Sequence, residues 1–325
     1  MQYSDITLVK KFERLPLGFI VKTISLLLIL SYLGYVIKKE QRLLEKLFYT
    51  LKEVWLTEQY ILFLVPILLM PCNWAAEALK WKILSKKVVR QNFTQSIVGV
   101  LSGLTLGFIT PQSLGEYAGR IWQIKSSRRS ELVGAVFIGS IIQCIISLLF
   151  GLGGVLVFVN NHNVQISQNS LILFVALLAV ILISLRYFWK SSIIPNVAKN
   201  FYQKYFSIIT TYSSKELIQV GWLSFLRYVI FSSQFIIVLI LFKVDLPIPI
   251  LFAGVSWVFV AKSIIPAFNF LSDIGVREFS ALLFFAPYNI DISKIILASL
   301  LIWAINILLP TIAGSLLVYK MRVLK

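Results

Sequence analysis

The sequence Thr110-Pro111-Gln112-Ser113-Leu114-Gly115-Glu116-Tyr117-Ala118-Gly119-Arg120 interrupts an apolar stretch at residues 96–125. The apolar run before it would form about 21 Å of helix, which is less than the roughly 30 Å hydrocarbon core of a bilayer. Thr110-Pro111 ends that helix, because proline lacks an amide hydrogen and disfavours helical backbone at the residue before it. Glu116 and Arg120 then follow four residues apart, on one face of a second helix. The stretch therefore predicts a broken helical segment with an acid–base pair after its turn.

The composition predicts an all-α integral membrane protein. Of the 325 residues, 58% are hydrophobic and 14% are charged, and the mean hydropathy is +0.85. Soluble domains usually carry about 25% charged residues. The apolar runs are about 20 residues long and do not alternate with period two, so helices are the predicted spanning elements.

The charge distribution favours a membrane surface over nucleic acid as the partner. The net charge is +17, from 31 basic and 14 acidic residues, and the basic residues cluster at the ends of apolar runs. That pattern is typical of cytoplasmic loops in contact with anionic headgroups. Cys72 and Cys144 lie in apolar runs, as buried thiols do, and the single histidine, His162, lies in a polar loop. We therefore expect no metal, no other cofactor and no nucleic-acid partner.

Run lengths and basic flanks predict six full spans, at residues 16–37, 60–79, 131–159, 170–189, 217–242 and 292–319. Residues 38–52 form either a helix on the membrane surface or a solvated connecting helix. Trp74 and Trp81 are interpreted as interfacial anchors, and a cytoplasmic loop is marked by Lys80, Lys82, Lys86, Lys87 and Arg90. Arg227 lies inside a span, where an arginine usually pairs or faces a cavity.

Residues 96–125 have basic flanks on both sides, which predicts a re-entrant hairpin that enters from the cytoplasm. A second broken run, residues 249–287, carries Gly275, Arg277 and Glu278 and must enter from outside, because the last span ends at the basic residues 320–325. The chain then reads as one polytopic membrane domain over residues 1–325, with both termini cytoplasmic. Its halves, about residues 16–189 and 217–320 around a linker at about 190–216, predict an inverted repeat.

Two short motifs resemble those of a known family. Thr110-Pro111 through Gly115-Glu116 resembles the T-P-x-x-x-G-E signature of the lysylphosphatidylglycerol synthase transmembrane-region family, also called flippase-like domain proteins. Ile274-Gly275-Val276-Arg277-Glu278 resembles its second signature, L-G-V-R-E, and the sequence from Asn73-Trp74 to Trp81-Lys82 is similar to its aromatic-basic end of the second span. The resemblance covers about residues 16–320. It implies an α-helical inner-membrane protein that translocates lipids, including aminoacylated phosphatidylglycerol in the two-domain members.

The chain departs from that family in two places. No soluble domain follows Lys325, so we expect no aminoacyl transfer from tRNA. Residues 270–273 stand where the family usually has a Pro-Gly-Gly run, which predicts a less flexible tip or a different substrate.

Polar and charged residues at the two breaks are the candidate substrate-binding residues. They are Thr110, Gln112, Ser113, Glu116, Arg120, Asn269, Asp273, Arg277 and Glu278, with Pro111, Gly115, Pro266 and Gly275 as structural turn residues. Intramembrane ionisable groups are functional candidates, although Glu116 and Arg120 also fit a purely structural pair. If the tips meet, we expect Glu116 to pair with Arg277 and Arg120 with Glu278. We expect Asn73 and Glu77 either to face the cavity between the two breaks or to lie at the membrane–water interface.

The predicted function is transport of a phosphate-bearing lipid, including an aminoacylated or glycosylated one, across the cytoplasmic membrane, with the headgroup passing the two breaks. The predicted partners are membrane lipids, with a homo-oligomer or a partner enzyme left open. One alternative is a membrane lipid or glycan transferase that uses Glu116 or Asp273 as a base, although the sequence has no catalytic constellation or nucleotide site. The other alternative is an accessory subunit of such a system.

Overall fold

A computed structural model describes residues 60–110, 113–122, 124–161, 196–265 and 270–320, and the isolated residues 45, 48, 49, 52 and 56. Every regular element within this part of the chain is helical, which confirms the all-α prediction. The α-helices are α1 (Tyr60–Ser85), α2 (Phe93–Ile109), α3 (Gly115–Ile121), α4 (Leu132–Asn161), α5 (Asn196–Tyr205), α6 (Ser214–Leu241), α7 (Ile248–Ile264), α8 (Phe270–Phe285), α9 (Ile292–Trp303) and α10 (Leu309–Lys320).

Four helical segments of the described chain are long and apolar enough to cross a membrane: Tyr60–Ser85, Arg129–Asn160, Ser214–Leu241 and Ile292–Val318. Each corresponds to a predicted span. The last combines α9 and α10 through a π-helical segment, Ala304–Leu308, which lies just before the helix-disrupting Pro310. The predicted spans at residues 16–37 and 170–189, and most of residues 38–52, lie outside the described residues.

The first predicted break joins α2 to an antiparallel α3. Helix α2 ends at Ile109, as the Thr110-Pro111 sequence predicts, and Thr110 is extended (φ −108°, ψ 146°). The Thr110 hydroxyl accepts a hydrogen bond from the amide of Gly115 at 2.7 Å and thereby caps the start of α3. Ser113 makes the turn with a left-handed φ of 54°.

Glycines allow the backbones of α2 and α3 to touch. A Cβ on Gly115 would lie 2.2 Å from the carbonyl oxygen of Leu106, and one on Gly119 would lie 2.5 Å from the Cα of Gly103. These contacts run in opposite directions along the two helices, so α3 returns towards the start of α2. The two limbs therefore form a helical hairpin.

Helices α7 and α8 form a second hairpin. The indole nitrogen of Trp257 donates to the carbonyl of Ser280 at 3.0 Å, and Gly254 faces the ring of Phe285. The predicted turn residue Gly275 lies inside α8, where a Cβ would meet no atom within 4 Å. Its helical position corrects its assignment as a turn residue, because α8 has already begun at Phe270.

The two hairpins pack against long helices from opposite halves of the chain. Helix α2 packs on α10, where the Thr105 hydroxyl donates to the carbonyl of Thr311 at 3.1 Å. Helix α7 packs on α4, where a Cβ on Gly154 would lie 2.5 Å from the carbonyl oxygen of Ala253. The two packing arrangements are reciprocal. Helices α1 and α6 pack against each other, and α1 also contacts α2 while α6 contacts α7.

Candidate functional site

One face of α1 carries the polar residues of the site. Asn73, Glu77 and Lys80 are spaced four and three residues apart, so they lie along one side of the helix. Their exposed fractions are 0%, 5% and 1%, respectively. Such burial is tolerated only where charged groups have charged or hydrogen-bonding partners, and the side chains of this face contact α3, α4 and α6.

Glu77 is the centre of the ion cluster, a name we use for Glu77, Lys80, Glu116, Arg120 and Arg227. Its carboxylate lies 2.8 Å from Arg120 and 3.1 Å from Lys80, and it also pairs with Arg227. Arg120 has a second ion pair, with Glu116. Three cations against two carboxylates leave one positive charge in excess. The ion cluster therefore ties α3 and α6 to α1 and keeps an unbalanced positive charge inside the protein.

Neutral hydrogen bonds complete the surroundings of the ion cluster. Arg227 donates from Nε to the side-chain oxygen of Asn73 at 3.0 Å. Lys80 donates to the carbonyl of Gly139 at 3.3 Å and to the side-chain oxygen of Gln143 at 3.4 Å. Gln143 in turn donates to the carbonyl of Ser224 at 3.2 Å. Helix α4 thus joins α1 and α6 around the same charges.

The ion cluster lies between the middle of α6 and the last third of α1. Asn73 is 13 residues after the start of α1 and 12 before its end, and Arg227 is 13 residues after the start of α6 and 14 before its end. At about 1.5 Å per residue, both residues are about 20 Å from either end of their helices. Glu77 and Lys80 are eight and five residues before the end of α1, about 12 Å and 8 Å from it. If these helices cross a bilayer, Arg227 lies close to mid-depth and its partners lie towards one side, and all of them are within a span, where charges are costly.

The structure corrects the assignments of four residues made from the sequence. Helix α1 continues to Ser85, so Lys80 and Lys82 belong to the helix rather than to a loop. Trp74 and Trp81, predicted as interfacial anchors, have exposed fractions of 8% and 0%. Their rings lie 5.7 Å from the guanidinium of Arg227 and 5.8 Å from that of Arg120, within cation–π range. The tryptophans therefore shield the arginines inside the protein.

Of the predicted site residues, Glu116 and Arg120 are brought together and linked to α1. Arg120 pairs with Glu77 and Glu116 in place of the expected pair with Glu278, and Glu116 pairs with Arg120 in place of Arg277. Arg277 lies in α8 with an exposed fraction of 6%, and Glu278 beside it is half-buried. The expected cross-pairing between the two hairpins is therefore not the arrangement found.

The remaining predicted residues are placed as follows. The hydroxyl of Thr110 is engaged by backbone groups, since it donates to the carbonyl of Leu106 at 2.9 Å and accepts from the amide of Gly115. Ser113 is exposed at the turn. The described residues do not include Pro111, Gln112, Pro266, Asn269 or the side chain of Asp273.

Sequence reasoning left the partner of Arg227 unnamed and missed Lys80 and Gln143 as members of the site. A signal for Lys80 was present, because Glu77 and Lys80 are three residues apart and can pair on one helix. Gln143 carried no comparable signal in its apolar run. Within the described residues, no group of three or more His, Cys, Asp or Glu side chains is arranged to hold a metal ion.

Comparisons with curated proteins and with solved structures find no match. The family model described as "Lysylphosphatidylglycerol synthase TM region" matches residues 22–314. This match covers both hairpins, the whole ion cluster and the four long apolar segments, except the last four residues of Ile292–Val318. The chain therefore belongs to the lysylphosphatidylglycerol synthase transmembrane-region family.

Proposed function

We propose that this protein moves a phosphate-bearing lipid between the two leaflets of the cytoplasmic membrane. Family membership and the apolar helices support a lipid-related role in a membrane. The observation that carries the proposal is the buried ion cluster that joins the middle of α6 to the spanning part of α1 and to α3. A charged headgroup needs compensating charge at this depth, where the bilayer offers none.

The chemistry of the ion cluster suits a phosphate. Its excess positive charge attracts an anion, and guanidinium groups bind phosphate oxygens through two parallel hydrogen bonds. Arg120 shares one nitrogen between Glu77 and Glu116, so a phosphate can replace one carboxylate without leaving the guanidinium bare. Glu116 is the more exposed of the two carboxylates and is the group we expect the phosphate to displace.

The packing of the hairpins supports an alternating-access route. We propose that α2–α3 and α7–α8 are re-entrant hairpins that enter from opposite sides, within an inverted repeat. The reciprocal contacts of α2 with α10 and of α7 with α4 fit this arrangement. Basic residues follow α1 and α3, at Lys86, Lys87, Arg128 and Arg129, so we place that side, and both termini, in the cytoplasm.

Lipid acyl chains stay in the bilayer in this scheme while the headgroup passes the ion cluster, and no bond is made or broken. The partners are therefore membrane lipids. In the second hairpin, Arg277 is buried, and we propose that it also contacts the headgroup.

Reconstituted vesicles test the proposal. The full-length chain is placed in liposomes that contain an anionic phospholipid with a fluorescent headgroup, and an impermeant reductant bleaches the outer leaflet. We expect the inner-leaflet label to become accessible much faster than in protein-free liposomes, with the lipid mass unchanged. A label that stays protected would contradict the proposal. A chemically altered lipid, formed also in detergent, would favour the membrane transferase instead.

A further inference from the structure

Helix α3 separates the ion cluster from a cavity on its outer side. Gly115, Gly119 and Arg120 are buried on the inner side, whereas Ala118 and Trp122 are exposed. The cavity beside this outer side has a volume of about 450 Å³ and is lined by Tyr117, Ala118, Ile121, Trp122, Arg129 and Val133. It thus joins the end of α3 to the start of α4.

The lining combines an apolar wall with one cation. Trp122 is 45% exposed, and it shares the wall with Ile121 and Val133. Arg129 is exposed, and its side chain has no hydrogen bond or ion pair with the residues that the structure describes. The adjacent Arg128 differs, because it makes two 2.7 Å hydrogen bonds to Glu131. Arg129 is therefore the basic group of this cavity that is available to an anion.

The cavity lies at the basic end of the hairpin. Helix α3 ends beside the early part of α2, where a Cβ on Gly99 would lie 3.6 Å from the carbonyl oxygen of Arg120. Lys125, Arg128 and Arg129 follow within a few residues, and the basic residues after α1 precede α2 at the same end. Tryptophan and arginine at such an end are typical of the headgroup level of a membrane.

We infer that this cavity binds the phosphate end of an anionic phospholipid from the adjacent leaflet. Arg129 binds the phosphate, and Trp122, Ile121 and Val133 contact the glycerol and the first carbons of the acyl chains. The wall explains the choice of a lipid over free phosphate, since a small inorganic anion gains nothing from apolar side chains. The inference that a lipid binds here depends only on the cavity. The further role of this site, which is to load lipid towards Arg120 on the other side of α3, rests on the proposed function.

Photo-crosslinking of the full-length protein tests the inference. The protein is placed in phosphatidylcholine nanodiscs with a trace of photoreactive phosphatidylglycerol or, separately, photoreactive phosphatidylcholine, and the adducts are mapped by mass spectrometry. We expect phosphatidylglycerol adducts on α3 and the first turn of α4. Arg129→Gln is expected to lower them about fivefold, as for loss of one basic contact at a membrane surface. Phosphatidylcholine adducts are expected to be unchanged.

Arg128→Gln is the matched control, because it removes the same charge one residue away from a side chain already paired with Glu131. We expect its adduct yield to match the wild type. Equal losses in Arg128→Gln and Arg129→Gln would overturn the inference, as would adducts confined to other helices. Displacement of the lipid by inorganic phosphate would identify a site for free phosphate and reject the lipid assignment.

The same variants distinguish this inference from the proposed function. Mapped, Arg129-dependent adducts in a protein that moves no lipid would support the binding site and reject translocation. Translocation with adducts that do not depend on Arg129 would support the proposed function and reject this site.

Discussion

Replacement of Glu77 by glutamine removes the centre of the ion cluster with little change in side-chain volume. Glu77→Gln leaves Lys80 with two neutral hydrogen bonds and Arg227 with the oxygens of Asn73 and Gln143. Arg120 keeps only one carboxylate partner. The substitution therefore isolates the charge of Glu77 and creates no cavity.

The expected loss follows from the burial of this charge. Removal of one partner from a buried ion pair typically costs about 3–5 kcal/mol, because the other charge stays buried without compensation. Glu77 serves three cations, so we expect the upper half of that range. Such a loss lowers the thermal midpoint by on the order of 10 °C in a protein larger than the usual small domain.

Thermal unfolding in detergent, followed by tryptophan fluorescence, measures this loss. The matched control is Glu216→Gln, which makes the same change of atoms at the third residue of α6. Glutamine also suits that capping position, because its side-chain oxygen can accept from the amide of Ser213 as Glu216 does. Only the partly exposed ion pair of Glu216 with Lys87, at 2.9 Å, is lost. We expect the control to cost less than about 1 kcal/mol. Equal midpoints for the two variants would refute the role given to Glu77.

A further prediction concerns the hairpin of α2 and α3. Gly119→Ala places a methyl group 2.5 Å from the backbone of Gly103, so we expect a loss of about 1–3 kcal/mol in the same unfolding assay. Gly153→Ala is the control, because a Cβ there meets no atom within 4 Å, and we expect it to gain up to about 1 kcal/mol of stability from helix propensity. If both variants lost a similar amount of stability, the close packing of α2 and α3 would be wrong.

Local features of the fold could be predicted from the sequence because their causes are local. Thr110-Pro111 predicts the end of α2 at Ile109, since proline acts on its own backbone and on the residue before it. The long apolar segments are predicted by length and composition. By contrast, Gly275 is a residue type that is common in turns, but it lies in α8. A single glycine is tolerated within a helix that packing stabilises.

The site could be predicted only in part. A charge within a span costs free energy, which predicts that Arg227 has a partner, and the structure shows one. That partner is Glu77, 150 residues earlier, and no local pattern connects the two. Lys80 resembles its lysine neighbours after α1 in sequence, and only the packing of α4 against α1 buries it. The charge partners therefore depend on tertiary contacts that spacing along the chain does not encode.

The central claim is that the ion cluster receives a lipid phosphate during its passage across the membrane. The most direct test is the rate at which a headgroup-labelled anionic lipid crosses reconstituted vesicles that contain folded Arg120→Gln, relative to Arg128→Gln. We expect Arg120→Gln to slow crossing about tenfold or more, as for loss of a hydrogen bond to a charged group, and Arg128→Gln to match the wild type. Crossing at the wild-type rate in a folded Arg120→Gln protein would contradict the claim.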